Sequence, residues 1–113
     1  MQLETVVKEL RLFRLTAEKI KETNVTGGYT SDLLSDVMAN SREGNLWITL
    51  QIHQNTIAVA KLKELAGIIL VNDRRPDKDT QLKAEEEGIP LLLTKDSAFT
   101  ISGKLFSLLE RND

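Results

Sequence analysis

Apolar positions along this chain fall into two rhythms, one helical and one continuous. Leu3, Val6, Val7 and Leu10 recur at helical spacing and predict a short amphipathic helix at the start. Leu12 to Leu15 reads as a first strand. Thr16 to Thr23 is too short for a full crossover helix and is expected to be a helical turn or loop. A short strand is expected around Val25, and Gly27-Gly28 then punctuates the chain. A second helix is expected from Ser31 to about Asn40, with Leu33, Leu34, Val37 and Met38 on one face. Thr30 or Ser31 would accept from its first amides.

Beyond Asn40 the rhythms alternate cleanly. Leu46 to Leu50 is a strand, followed by a helix from Asn55 to Leu65 with Ile57, Leu62 and Leu65 inward. Gly67 to Val71 is a continuous apolar run opened by glycine, the pattern of a buried parallel strand. Asp77 to Glu87 is a helix that starts after Pro76 and ends at Gly88. Ile89 to Leu93 is another buried strand. Ser97 to Glu110 is the last helix, with Ala98, Ile101, Leu105, Leu108 and Leu109 at helical spacing. Strand and helix alternating in this way predict a single layered α/β domain over residues 1–113. Its mostly parallel sheet of about four strands would be flanked by helices and joined by right-handed crossovers.

Composition narrows the function. The 113 residues are 41% hydrophobic and only 4% aromatic, so Leu, Ile, Val and Ala must fill the core. The net charge is −2, and Arg74-Arg75 is flanked by Asp73, Asp77 and Asp79, so no basic face for nucleic acid is expected. Cysteine is absent, which removes thiol catalysis and thiolate metal sites and fits a reducing compartment. No apolar run approaches the roughly 20 residues of a membrane span, and the start lacks the order of a signal peptide. The expectation is a cytoplasmic protein with no membrane partner.

In an open parallel sheet, ligands gather at the carboxyl ends of the strands, where loops and helix starts converge. Three such loops are expected, Gln51–Asn55, Asn72–Pro76 and Thr94–Ser97. Their first amides can hold an anion, and Asn55, Asp77 and Asp96 or Ser97 can equally be plain helix caps. His53 is the only histidine. At the end of a strand it can donate to a phosphate or act as a base, or sit hydrogen-bonded as a structural residue. Gly27-Gly28-Tyr29-Thr30-Ser31 resembles a phosphate cradle but lacks P-loop spacing. No Gly-Lys-Ser/Thr occurs, and Gly103-Lys104 is followed by Leu105 inside a helix. Asp32 and Asp36 are expected on one helix side, where they could hold a cation or simply be solvated. Trp47 is expected in the core or anchoring an interface. The candidate ligand-binding set is therefore Gly27, Gly28, His53, Asn55, Asn72, Asp73 and Thr94, with no catalytic residues, no metal and no cofactor.

The stretch from Gly27 to about Leu109 resembles a DRTGG domain. The likeness rests on Gly27-Gly28-Tyr29 running into Asp32–Met38, on Trp47-Ile48-Thr49 through His53, Asn55 and Ala58-Val59-Ala60, and on Gly67–Leu70 with Pro76, Ala84 and Gly88-Ile89-Pro90. It is similar to the stand-alone short form related to HPr kinase, whose own P-loop lies in a different domain. Ile52-His53 stands where typical members carry Asp-Arg, and Val71-Asn72-Asp73 where they carry Thr-Gly-Gly. Any ligand binding by those family residues does not transfer. The resemblance implies an accessory regulatory or assembly module and not an enzyme. The small, aromatic-poor core and the dimers of the resembling family both lead to the expectation of a homodimer acting on a metabolic enzyme, and the Trp47–Ile57 segment, which carries the only tryptophan, is the expected contact. The alternative is a sensor of a nucleotide or phosphorylated metabolite at the strand-end loops around His53 and Asn72. A third reading is a small enzyme using His53.

Overall fold

The computed structural model describes residues 1–16 and 22–111. Most of the turn expected from Thr16 to Thr23 therefore lies outside the described residues. The elements in order are α1 (Leu3–Glu9), β1 (Phe13–Arg14), β2 (Gly27–Thr30), α2 (Leu34–Asn40) and β3 (Asn45–Thr49), then α3 (Asn55–Leu62), β4 (Gly67–Leu70), α4 (Lys78–Glu87), β5 (Leu91–Leu93) and α5 (Ala98–Arg111).

The class is α/β, and the described residues form one sheet of five strands in the order β1-β5-β4-β3-β2. Strands β2 to β5 are parallel, and β1 pairs antiparallel with β5, Phe13 opposite Leu93. The fifth strand is β2. The glycines expected to break the chain lie inside it, Gly27 opposite Asn45 and Gly28 opposite Leu46. The strand expected around Val25 reduces to an isolated bridge between Gln2 and Asn24.

Side chains alternate across the sheet and build two cores. Leu46, Ile48, Ile69 and Leu92 pack with Leu3 and Val6 of α1 and with Ile101, Leu105 and Leu108 of α5. Trp47, Ile68, Leu70, Leu91 and Leu93 pack with Val37 of α2, Ile57 and Ala60 of α3, and Ala84 of α4. So α1 and α5 cover one face, and α2, α3 and α4 the other. Both faces of β4 are buried, as its unbroken Gly-Ile-Ile-Leu run requires.

Several helix boundaries differ from the sequence expectation for local reasons. Helix α2 begins at Leu34 because Ser31 Oγ accepts from Leu33 N and the Asp32 carboxylate turns to the end of β3. Such side-chain bonds to nearby backbone compete with helix formation. Leu33 is left exposed, and so is Leu62, although both were expected to face inward. Helix α3 ends at Leu62, and Glu64 takes a φ of 54°, which folds Leu65 back into the core from beyond the helix. Helix α4 ends as expected, at Gly88 with a φ of 69°. Trp47 is fully buried, and its Nε1 donates to Ser31 O at 2.8 Å. It is a core residue and is not available as an interface anchor. Among the described residues, no helix is long and apolar enough to cross a membrane.

Candidate functional site

Two chain exits decide where a ligand can approach. The loop after β4 leads to α4 on one face of the sheet, and the loop after β5 leads to α5 on the other. Adjacent strands whose connections part to opposite faces leave a crevice at their carboxyl ends. The two loops are stitched together at its floor. Asn72 N donates to Asp96 O at 2.9 Å and Asp73 N to Thr94 O at 2.8 Å, while Asp96 N donates to Thr94 Oγ1 at 3.1 Å.

Asn72 and Asp73 carry this geometry in their backbone, with φ of 56° and 55°. This left-handed region favours glycine, and Asn and Asp tolerate it best among the other residues. At the two positions where the DRTGG resemblance expects Gly-Gly, the turn is kept with the residues least penalised for it.

Above this floor lies a mouth of about 380 Å³, lined by the α1–β1 connection (Leu10, Arg11), Phe13, Asp73, Arg75, the Leu93–Asp96 segment and Lys104 of α5. Four of these side chains are cationic and two acidic, in a chain whose net charge is −2. Lys104 is paired with Asp96 at 2.8 Å, and Arg75 lies 3.7 Å from Asp73. Arg11 and Lys95 have no ion-pair partner among the described residues. The Arg75 guanidinium lies 5.5 Å from the centre of the Phe13 ring, which is 58% exposed. The arrangement suits a small anion, held by charge and screened on one side by an aromatic ring.

Of the candidate set, Asp73 and Thr94 line the mouth, and Asn72 joins them through its backbone at the floor. The others are elsewhere. His53 is exposed and borders the α3–α4 side, its Nδ1 3.0 Å from Asp77 Oδ2. Asn55 is exposed on the first turn of α3, and Gln54, not Asn55, is the capping position. Asp77 does occupy the cap of α4 but makes no capping bond, whereas Ser97 Oγ accepts from Thr100 N at 3.2 Å. Gly27 and Gly28 open β2 at the amino end of the sheet, the end remote from the mouth. A Cβ on Gly28 would stand 2.8 Å from Leu105 Cδ2, so glycine there lets α5 approach the strand.

Asp32 and Asp36 do not share a helix side. The Asp32 carboxylate accepts from Leu50 N and Thr49 Oγ1, both at 2.8 Å, while Asp36 accepts from Tyr29 OH at 2.7 Å and from Asn40. Hydrogen bonds from Asn40 and then Tyr29 hold the Asp36 carboxyl below its ordinary range, and the same Asp36 contact raises the Tyr29 phenol. No group of three or more His, Cys, Asp or Glu among the described residues is placed to hold a metal ion.

Sequence reading passed over Arg11, Phe13, Arg75, Lys95 and Lys104 as site residues. Arg75 and Lys95 were signalled by the loops that carry them. Arg11 and Phe13 reach the mouth only through the antiparallel pairing of β1 with β5, which no local pattern reports.

No protein-family model matches the chain, and no curated protein does. Among solved structures, the CBS and DRTGG domains of the regulatory region of Clostridium perfringens pyrophosphatase, complexed with the activator diadenosine tetraphosphate, superpose with a TM-score of 0.72 at 14% identity. The match covers 91% of this chain and 44% of the pyrophosphatase chain. The likeness is one of fold. It supports a fold of the CBS/DRTGG kind, and at this identity it carries no residue of the mouth across.

Proposed function

We propose that the chain is a non-catalytic regulatory module of the cytoplasm that attaches to a metabolic enzyme and senses a phosphorylated small molecule in the mouth. The observation that carries this reading is the excess of cations around one concavity in an acidic chain, two of them without ion-pair partners. The described nucleotide activator of the pyrophosphatase region supports the same ligand class. The test is a thermal-shift series with nucleotides and sugar phosphates, since a ligand that binds only the folded state raises Tm. A Tm rise that Lys95→Ala reduces and His53→Ala leaves intact is the expected result. No shift with any phosphorylated compound overturns the sensing role and leaves assembly alone. Phosphorylation of HPr by the pure chain, lost on a single substitution, overturns the non-catalytic reading.

The module is proposed to work as a homodimer, and α5 offers the surface for it. Phe99 and Phe106 are 90% and 67% exposed on its outer side, on either side of Gly103, opposite the buried Ile101, Leu105 and Leu108. Two copies of α5 laid antiparallel across Gly103 place Phe99 of one against Phe106 of the other, a self-complementary contact. Light scattering at tens of micromolar tests this, with Phe106→Glu expected to give the monomer mass. A monomeric parent protein overturns it.

A further inference from the structure

We propose that Phe13 and Arg75 form a stacking platform for a planar heterocyclic base, so that the ligand of the mouth is a nucleotide and not a sugar phosphate or inorganic anion. The proposal rests on reading the mouth as an anion site and goes further by assigning its selectivity. Phe13 sits on a strand of two residues at the sheet edge, opposite Leu93, and leaves 58% of its surface exposed. The core does not need it, because aliphatic side chains and Trp47 fill both layers. The ring is nonetheless covered on one side by a guanidinium at 5.5 Å, within the range of a cation–π contact.

Arg75 is not locked into an alternative bond. Its distance of 3.7 Å to Asp73 is longer than a hydrogen bond, so the guanidinium can follow a ligand. Bases stack on aromatic rings and on guanidinium planes, and stacking accepts any base because each has a π face. Lys95, Arg11 and Lys104 line the same mouth and supply cations for the phosphates. A sugar phosphate would use those cations and leave the platform idle. The mouth of about 380 Å³ falls within the size range of small-molecule sites.

Calorimetric titration of the full chain in magnesium-free buffer with ATP, with tripolyphosphate and with ribose 5-phosphate tests the proposal. ATP is expected to bind about tenfold tighter than tripolyphosphate, a compound of comparable charge with no base. Phe13→Leu should remove that advantage while leaving tripolyphosphate affinity unchanged, and Phe13→Tyr, which keeps a ring, should retain it. Equal affinities for ATP and tripolyphosphate, or an advantage that survives in folded Phe13→Leu, overturn the platform and leave the anion site standing. If none of the three compounds binds, the anion site falls and the platform with it.

Discussion

Two stretches of this chain share turn-forming composition, and they meet opposite fates. Gly27–Ser31 has the glycines expected of a phosphate loop, yet Gly27–Thr30 is an edge strand whose two glycines lie at its amino end, Gly28 against Leu105 of α5. Asn72–Pro76 has no glycine, yet it makes a turn with two left-handed residues at the carboxyl end, beside the mouth. Glycine at the first site removes a side chain so that a helix can approach. Asn and Asp at the second supply a backbone conformation. Residue type alone does not separate these roles, whereas the end of the strand on which a segment lies does.

The largest expected effect comes from filling the packed end. Gly28→Val should lower stability by about 1–3 kcal/mol, because the added methyls meet Leu105 and overpacking has that cost. Denaturant unfolding measures it, and an unchanged midpoint would return Gly28 to the list of loop residues. At the turn, Asp73→Val should cost about 1–2 kcal/mol for a β-branched residue at positive φ. Asp73→Gly should stay within about 1 kcal/mol of the parent. Equal losses for both variants would show that the Asp73 side chain matters more than its backbone.

Weaker effects are expected at the exposed pairs. His53→Ala should change stability by less than about 1 kcal/mol, since its contact with Asp77 is solvated on both sides. A loss larger than that would mean that the imidazole holds the α4 start in place. The smallest effect belongs to Glu43, whose carboxyl is raised by a hydrogen bond with Glu64 and by its charge. Its folded state prefers the proton, so stability falls as pH rises from the ordinary glutamate value of 4.5 through the raised one. Glu43→Gln should flatten that slope and raise Tm slightly at neutral pH. A melting series across pH 4–7 checks the sign, about one degree being the scale expected of a surface pair.

Much of the fold was legible where one rhythm governs a segment. The apolar runs of β4 and β5 and the Ile101, Leu105, Leu108 stripe of α5 are required by burial, and the structure places them so. The strand β2 was not legible, because two glycines give no alternation and little β preference. Leu33 and Leu62 fit a helical stripe but lie at the edges of their helices, where end geometry decides exposure. The candidate site was half legible. Asn72, Asp73 and Thr94 follow from the strand-end rule, while Arg11 and Phe13 depend on a contact spanning most of the chain, Phe13 with Leu93.

That long-range pairing gives the mouth a timetable. The β1 ladder holds only two residues and closes a loop spanning Phe13 to Leu93, so in folding it is expected to form late, after β2 to β5 have assembled from nearer neighbours. The same economy makes it an early segment to open in the native state, because few contacts have to break. Hydrogen exchange should therefore be fastest, among the strands, at the β1 amides. A ligand that engages Phe13 would slow exchange there before it slows exchange anywhere in β3 or β4. A ligand held by the last strand to dock would also brace that strand, coupling occupancy to the order of one edge of the sheet without moving its centre.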